Sequence, residues 1–92
     1  IWDESKIDWQ ANEYELLCDG KLFRIDRLVK ERSTQMWWII DFKSAVNPEK
    51  SAVLKAQLET YRTALSAMLG ISKNRIQTAF VTGKGHWVAP MQ

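Results

Sequence analysis

The 92-residue chain predicts an α+β (mixed α/β) fold in the order β-β-β-α-β-β, and three stretches carry that prediction. Met36 to Ile40 is an unbroken apolar run that leads into Asp41, Phe42 and Lys43. A segment apolar on both faces is the mark of a central strand. Leu54, Leu58, Tyr61, Leu65 and Met68 recur at spacings of four and three, which lays one apolar stripe along a helix. Asp19-Gly20 separates two alternating segments and is a strong signal for a two-residue hairpin turn.

Residues 1–12 show no clear period and read as an irregular lead-in, with the core expected over 13–89. Glu13 to Cys18 forms the first short strand, with Tyr14, Leu16 and Cys18 on one face. Lys21 to Val29 forms the second. One of its faces carries Phe23, Ile25 and Val29, interrupted by Arg27, and the other Leu22, Arg24, Asp26 and Leu28. Lys30 to Gln35 is turn-like, and the central strand follows from Met36 to about Lys43. Short polar turns between the three make an antiparallel meander. Asn47 suits a helix N-cap and Pro48 the first helical position; the helix then runs to about Leu69, with Gly70 as its C-cap. Arg75 to Thr82 alternates as a fourth strand, placed beside the central strand and parallel to it by a crossover. Gly83-Lys84-Gly85 turns the chain into a short last strand, His86 to Ala89.

One domain fits this length, with a core of marginal size. The single Cys18 excludes an internal disulfide and a cysteine-based zinc site, so a reducing cytoplasm is the default compartment. His86, the one histidine, cannot build a histidine-rich metal site or a Ser-His-Asp triad alone. Hydrolytic chemistry here has to rest on carboxylates, lysine and a hard metal ion. A net charge of +2 is mildly compatible with nucleic acid, and no run is long enough to cross a membrane. The chain starts at Ile1, and Trp2 and Trp9 lie in a polar stretch with little to pack on; both features point to a segment of a larger protein.

Asp41 and Lys43 alternate onto one face of the central strand, and Asp26 lies near the end of its neighbour. If the register puts Asp26 and Asp41 on the same face, the two acids meet. Two carboxylates beside a lysine suit a hard divalent cation, while the simpler reading is a wet strand end with solvated charges. Gln57 and Tyr61 share a helix face, either as site members or as a boundary glutamine and a core tyrosine.

Ile25-Asp26-Arg27-Leu28, Ile40-Asp41-Phe42-Lys43 and Gln57-Leu58-Glu59-Thr60-Tyr61 resemble three successive motifs of the RecB/AddA-type nuclease domain. That domain belongs to the PD-(D/E)xK superfamily of restriction-endonuclease-like folds, and usually forms the C-terminal part of bacterial UvrD-like helicase-nucleases. The resemblance implies metal ligation by Asp26, Asp41 and the carbonyl of Phe42, catalysis by Lys43, and a steadying or DNA-touching role for Gln57 and Tyr61. It further implies Mg2+ (or Mn2+) as cofactor, DNA as substrate, helicase domains of a parent chain as partners, and exonucleolytic work in recombinational break repair in a bacterial cytoplasm. The chain departs from the pattern in three places. Phe23 and Arg24 stand where a glycine is common, Ser44-Ala45 stand where Thr-Gly is common, and residues 1–12 do not resemble the family's upstream helix. Glu13 or Glu15 could supply the further acid that this helix often contributes. Two other readings compete: a non-catalytic domain of the same fold that binds DNA or serves a structural role, and an unrelated nucleic-acid-binding sheet with Trp37 and Trp38 as stacking platforms.

Overall fold

The computed structural model describes residues 4–43 and 51–82, together with the backbone of 87–88. Strands β1 (Ile7–Cys18), β2 (Lys21–Glu31) and β3 (Trp37–Lys43) precede helix α1 (Ala52–Leu69), and β4 (Ile76–Thr82) and β5 (Trp87–Val88) follow it. The strands make one sheet in the order β1-β2-β3-β4-β5. Its β1–β2 and β2–β3 pairs are antiparallel, β3–β4 is parallel, and β4–β5 is antiparallel. The α+β order and the parallel strand after the helix are as the sequence predicts.

Local chemistry accounts for the turns. Asp19 and Gly20 both take positive φ, 51° and 77°, as a two-residue turn matched to strand twist requires. Gly70 closes α1 in the left-handed region at φ 67°, donating its N–H to the Ser66 carbonyl. At the other end the N-cap is Ser51, whose hydroxyl accepts the Leu54 N–H at 3.3 Å. This corrects the assignment of the cap to Asn47: a serine three residues before a free helical N–H satisfies it directly. Asn47 and Pro48 lie outside the described residues, as do Trp2, the Gly83–Gly85 turn, His86 and Ala89.

The first strand begins six residues earlier than its sequence suggests. After a 3-10 turn at Glu4–Lys6, residues from Ile7 onward pair with the far end of β2, so the expected lead-in is largely strand. Its polar composition hid it because it lies at the sheet edge, where few side chains are buried. Trp9 does find neighbours: its ring meets Tyr14 at 5.8 Å and Trp37 at 5.6 Å, both edge-on.

α1 lies on one face of the sheet. Leu58, Ala64 and Leu65 pack there with Leu16, Ile25, Leu28, Ile39, Ile76 and Phe80, flanked by Trp37 and Tyr61. Arg62 secures the helix to the start of β4 by donating to the carbonyls of Lys73 (2.7 Å) and Ile76 (2.9 Å). A smaller cluster of Ile7, Val29, Ile40 and Val81, with Trp38 against it, sits apart from this core. The tryptophans of the central strand thus pack against opposite clusters.

Strand β2 departs from strict alternation. Ile25 and Leu28, three residues apart, join the helix-side cluster, whereas Val29 joins the other. The expected grouping of Val29 with Ile25, and of Leu28 with Arg24, is therefore wrong beyond Asp26. The cause is a one-residue slip of the pleat at the middle of β2.

Leu65 is completely buried at the helix–sheet interface. Truncation by Leu65→Ala should lower the unfolding free energy by roughly 2–5 kcal/mol in urea denaturation. Met68→Ala, at the exposed end of the same stripe, should cost well under half as much.

Candidate active site

The site lies where β2 and β3 stop pairing through their backbones. Their register ends at Arg27 opposite Ile40, and one more step places Asp26 opposite Asp41. There a side chain takes over from the ladder: Asp26 Oδ2 accepts the Phe42 N–H at 3.0 Å. This bond ties the Asp26 carboxylate to the backbone of the central strand. Asp41 belongs to the Ile39 face of β3, toward the helix, and is the one buried charged residue among those described. The carboxyl groups of Asp26 and Asp41 come within hydrogen-bonding reach of each other, so a proton can bridge them.

Lys43, two residues on along the same face, brings Nζ to 3.2 Å from Asp41 Oδ2. Oδ2 is thereby buried directly against a positive charge. Burial raises the Asp41 carboxyl, the neighbouring Asp26 raises it further, and Lys43 offsets only part, so it titrates at about 6. Asp26 moves the other way. Burial pulls it up, but its bonds to Asp41 and to the Phe42 N–H, and the charges of Lys43 and Arg24, together hold it below the usual carboxylate range. Two like acids pushed apart in this manner mark a site built to hold charge.

The remaining candidates are arranged in a second group. Gln57 Nε2 donates to Tyr61 Oη at 2.9 Å, and the Tyr61 ring stands edge-on to Phe23 at 5.8 Å. Each thus bonds to the other rather than to the acids. The Phe42 ring is half exposed and points away from the acids, as alternation along β3 requires. Glu13 and Glu15 are both exposed. Among the described residues no group of three or more His, Cys, Asp or Glu is placed to hold a metal, so neither adds a third acid to the pair. Arg27 turns away, donating to Gln10 Oε1 at 2.6 Å. Arg24 is a further contributor, its charge acting on Asp26, that none of the three motifs marks. Its signal was its position two residues before Asp26 on the same strand.

The donor set fits a divalent cation in kind: two touching carboxylates, one with a buried oxygen, are hard ligands. Further oxygens would come from backbone, water or substrate.

Residues 2–87 match the family model described as the PD-(D/E)XK nuclease superfamily. No curated protein and no solved structure matches the chain.

The electrostatics set a pH dependence for the metal-free chain. The folded Asp41 carboxyl is raised from 3.8 to about 6, so the folded state holds a proton that the unfolded chain releases. Its contribution is therefore fully present below pH 3.8 and is lost as pH climbs to about 6, a decline on the order of 3 kcal/mol. Asp26, being depressed, acts in the opposite sense and in a separate window, below its ordinary value of 3.8. Chemical denaturation between pH 4 and 7 should show the decline. Asp41→Asn should flatten it and leave the metal-free chain more stable at pH 7 than the wild type.

Proposed function

The chain belongs to the PD-(D/E)XK nuclease superfamily, and on that premise we propose that it is a Mg2+-dependent deoxyribonuclease module, able to use Mn2+, that hydrolyses DNA phosphodiester bonds. The observation that carries this reading is the contact of Asp26 with Asp41 beside Lys43 at the end of the central strand. In this reading Asp26, Asp41 and the carbonyl of Phe42 hold the cation. When bound, the cation supplies the charge that neutralises a phosphate oxygen and lowers the pKa of a water.

The chain's own residues do the rest. The Phe42 N–H fixes Asp26, so the outer carboxylate is oriented before any ligand arrives. Lys43 lies against the inner carboxylate, where it orients the attacking water and offsets negative charge that builds on the phosphate oxygens in the transition state. Gln57 and Tyr61, joined by their mutual bond, steady the helix side of the site or contact the DNA.

A narrower reading is supported by motif order. Ile25–Leu28 lies on β2, Ile40–Lys43 on β3 and Gln57–Tyr61 on α1, the succession expected of a RecB/AddA-type domain. We place the module on that ground among exonucleases that act in break repair beside the helicase domains of a bacterial, cytoplasmic parent chain. Among the described residues no helix is long and apolar enough to cross a membrane.

The test is a titration with Mn2+ or Mg2+, read by melting temperature and by calorimetry. The wild type should be stabilised by about 2.7 kcal/mol at a hundredfold excess over Kd, and Asp41→Ala should show no saturable shift. Lys43→Ala should keep the binding but lose about 100- to 1000-fold in cleavage of single- or double-stranded DNA. Absence of metal binding in the wild type would sink the catalytic reading and favour a non-catalytic DNA-binding or structural role.

A further inference from the structure

Glu13 lies in the interior of β1, yet its φ is +50°. The other described non-glycine residues with positive φ, Asp19 and Gln35, fall between strands. A side chain larger than that of Gly, Asn or Asp seldom adopts this conformation, and in mid-strand it breaks the pleat. The break is visible in β1. Trp9 and Tyr14 are five residues apart, an odd spacing, yet their rings are in contact, and Trp9 also meets Trp37; Tyr14 and Trp37 both pack on the helix-side cluster.

The same break appears across the ladder. Glu13 lies between the Asn12–Arg27 and Tyr14–Ile25 pairs, and so opposite Asp26. In β2 the alternation slips between Ile25 and Leu28, both of which face the helix. Because the register between β1 and β2 does not shift across this point, the two strands turn over together. The slip has one consequence for the acids. Counted from Ile25 on an unbroken strand, Asp26 would point to the face opposite the helix. Asp41, two residues beyond Ile39, is on the helix side. With the slip, Asp26 comes round to meet it.

We infer that Glu13 is a positioning residue for the acid pair, acting through its left-handed backbone and not through its carboxylate. The exposed side chain of Glu13 has no share in the site; its backbone sets the turn of β2 that delivers Asp26 to Asp41. The value of this for catalysis rests on the nuclease reading, but the geometry is independent of it.

The test is a series in the full chain: Glu13→Gly, Glu13→Asn and Glu13→Val. Each is read by Mn2+ titration and, without metal, by hydrogen exchange at the Phe42 amide, which reports its bond to Asp26. Gly and Asn accept positive φ, so both should keep the wild-type Mn2+ affinity within about twofold and keep the Phe42 amide protected. The β-branched Val resists positive φ, so it should weaken Mn2+ binding at least ~10-fold and deprotect that amide. Loss of Mn2+ binding in Glu13→Gly would make the carboxylate the operative group and overturn the inference. Unchanged affinity and protection in Glu13→Val would overturn it as well. If Glu13→Val does not fold, the Gly and Asn variants still decide between backbone and carboxylate. If the wild type itself binds no Mn2+, the nuclease reading fails, and the Phe42 exchange alone decides the positioning role.

Discussion

The contact between Asp26 and Asp41 is unfavourable in itself, and much of the surrounding structure is arranged to sustain it. Two carboxylates in a partly desolvated setting repel, and the chain answers by keeping one proton between them until about pH 6. A lysine at 3.2 Å and a backbone N–H at 3.0 Å provide the rest of the compensation. The helix-side core gives the leverage. Ile25, Leu28 and Ile39 are fully or almost fully buried around the pair, which fixes the two strands that carry the acids. Stability is thus taken from the core and given up at the end of the central strand, an exchange common at sites where function needs a destabilised group.

Most of the fold was legible because its strongest signals are local. The Asp19-Gly20 turn, the apolar run from Trp37 to Ile40, the stripe from Leu54 to Leu65 and the Gly70 cap each specify their own conformation. The beginning of β1 was not legible. Ile7, Trp9, Gln10 and Asn12 form a strand because β2 offers them partners, and a polar edge strand has no burial pattern of its own. The helix start was placed too early because Asn47-Pro48 is a sound capping signal by composition, while Ser51 makes the cap that the described helix uses.

The site was legible in part. Asp41 and Lys43 share a face by simple alternation, and their ion pair follows from it. That Asp26 reaches them does not follow from alternation. Counted by twos from Ile25, Asp26 falls on the face away from the helix, whereas Leu28, which faces the helix with Ile25, shows that the alternation slips between them. The slip responsible has no residue-type signature: position 13 is a glutamate where a glycine or asparagine would have announced the conformation. Three short motifs in the right order single out Asp26 and Asp41, the two acids that the structure brings into contact.

The placement of the acids also bears on the order in which the chain can assemble. Asp26 and Asp41 are 15 residues apart, in strands joined by a short turn, so little loop entropy is lost in bringing them together. The pairing of β3 with β4 requires closure of the whole segment through α1, from Lys43 to Ile76. The entropy of closure therefore favours the meander over the parallel pair. Each molecule can bring its two acids face to face, with Lys43 and the Phe42 N–H already beside them on β3, while β4, β5 and the helix are still unformed.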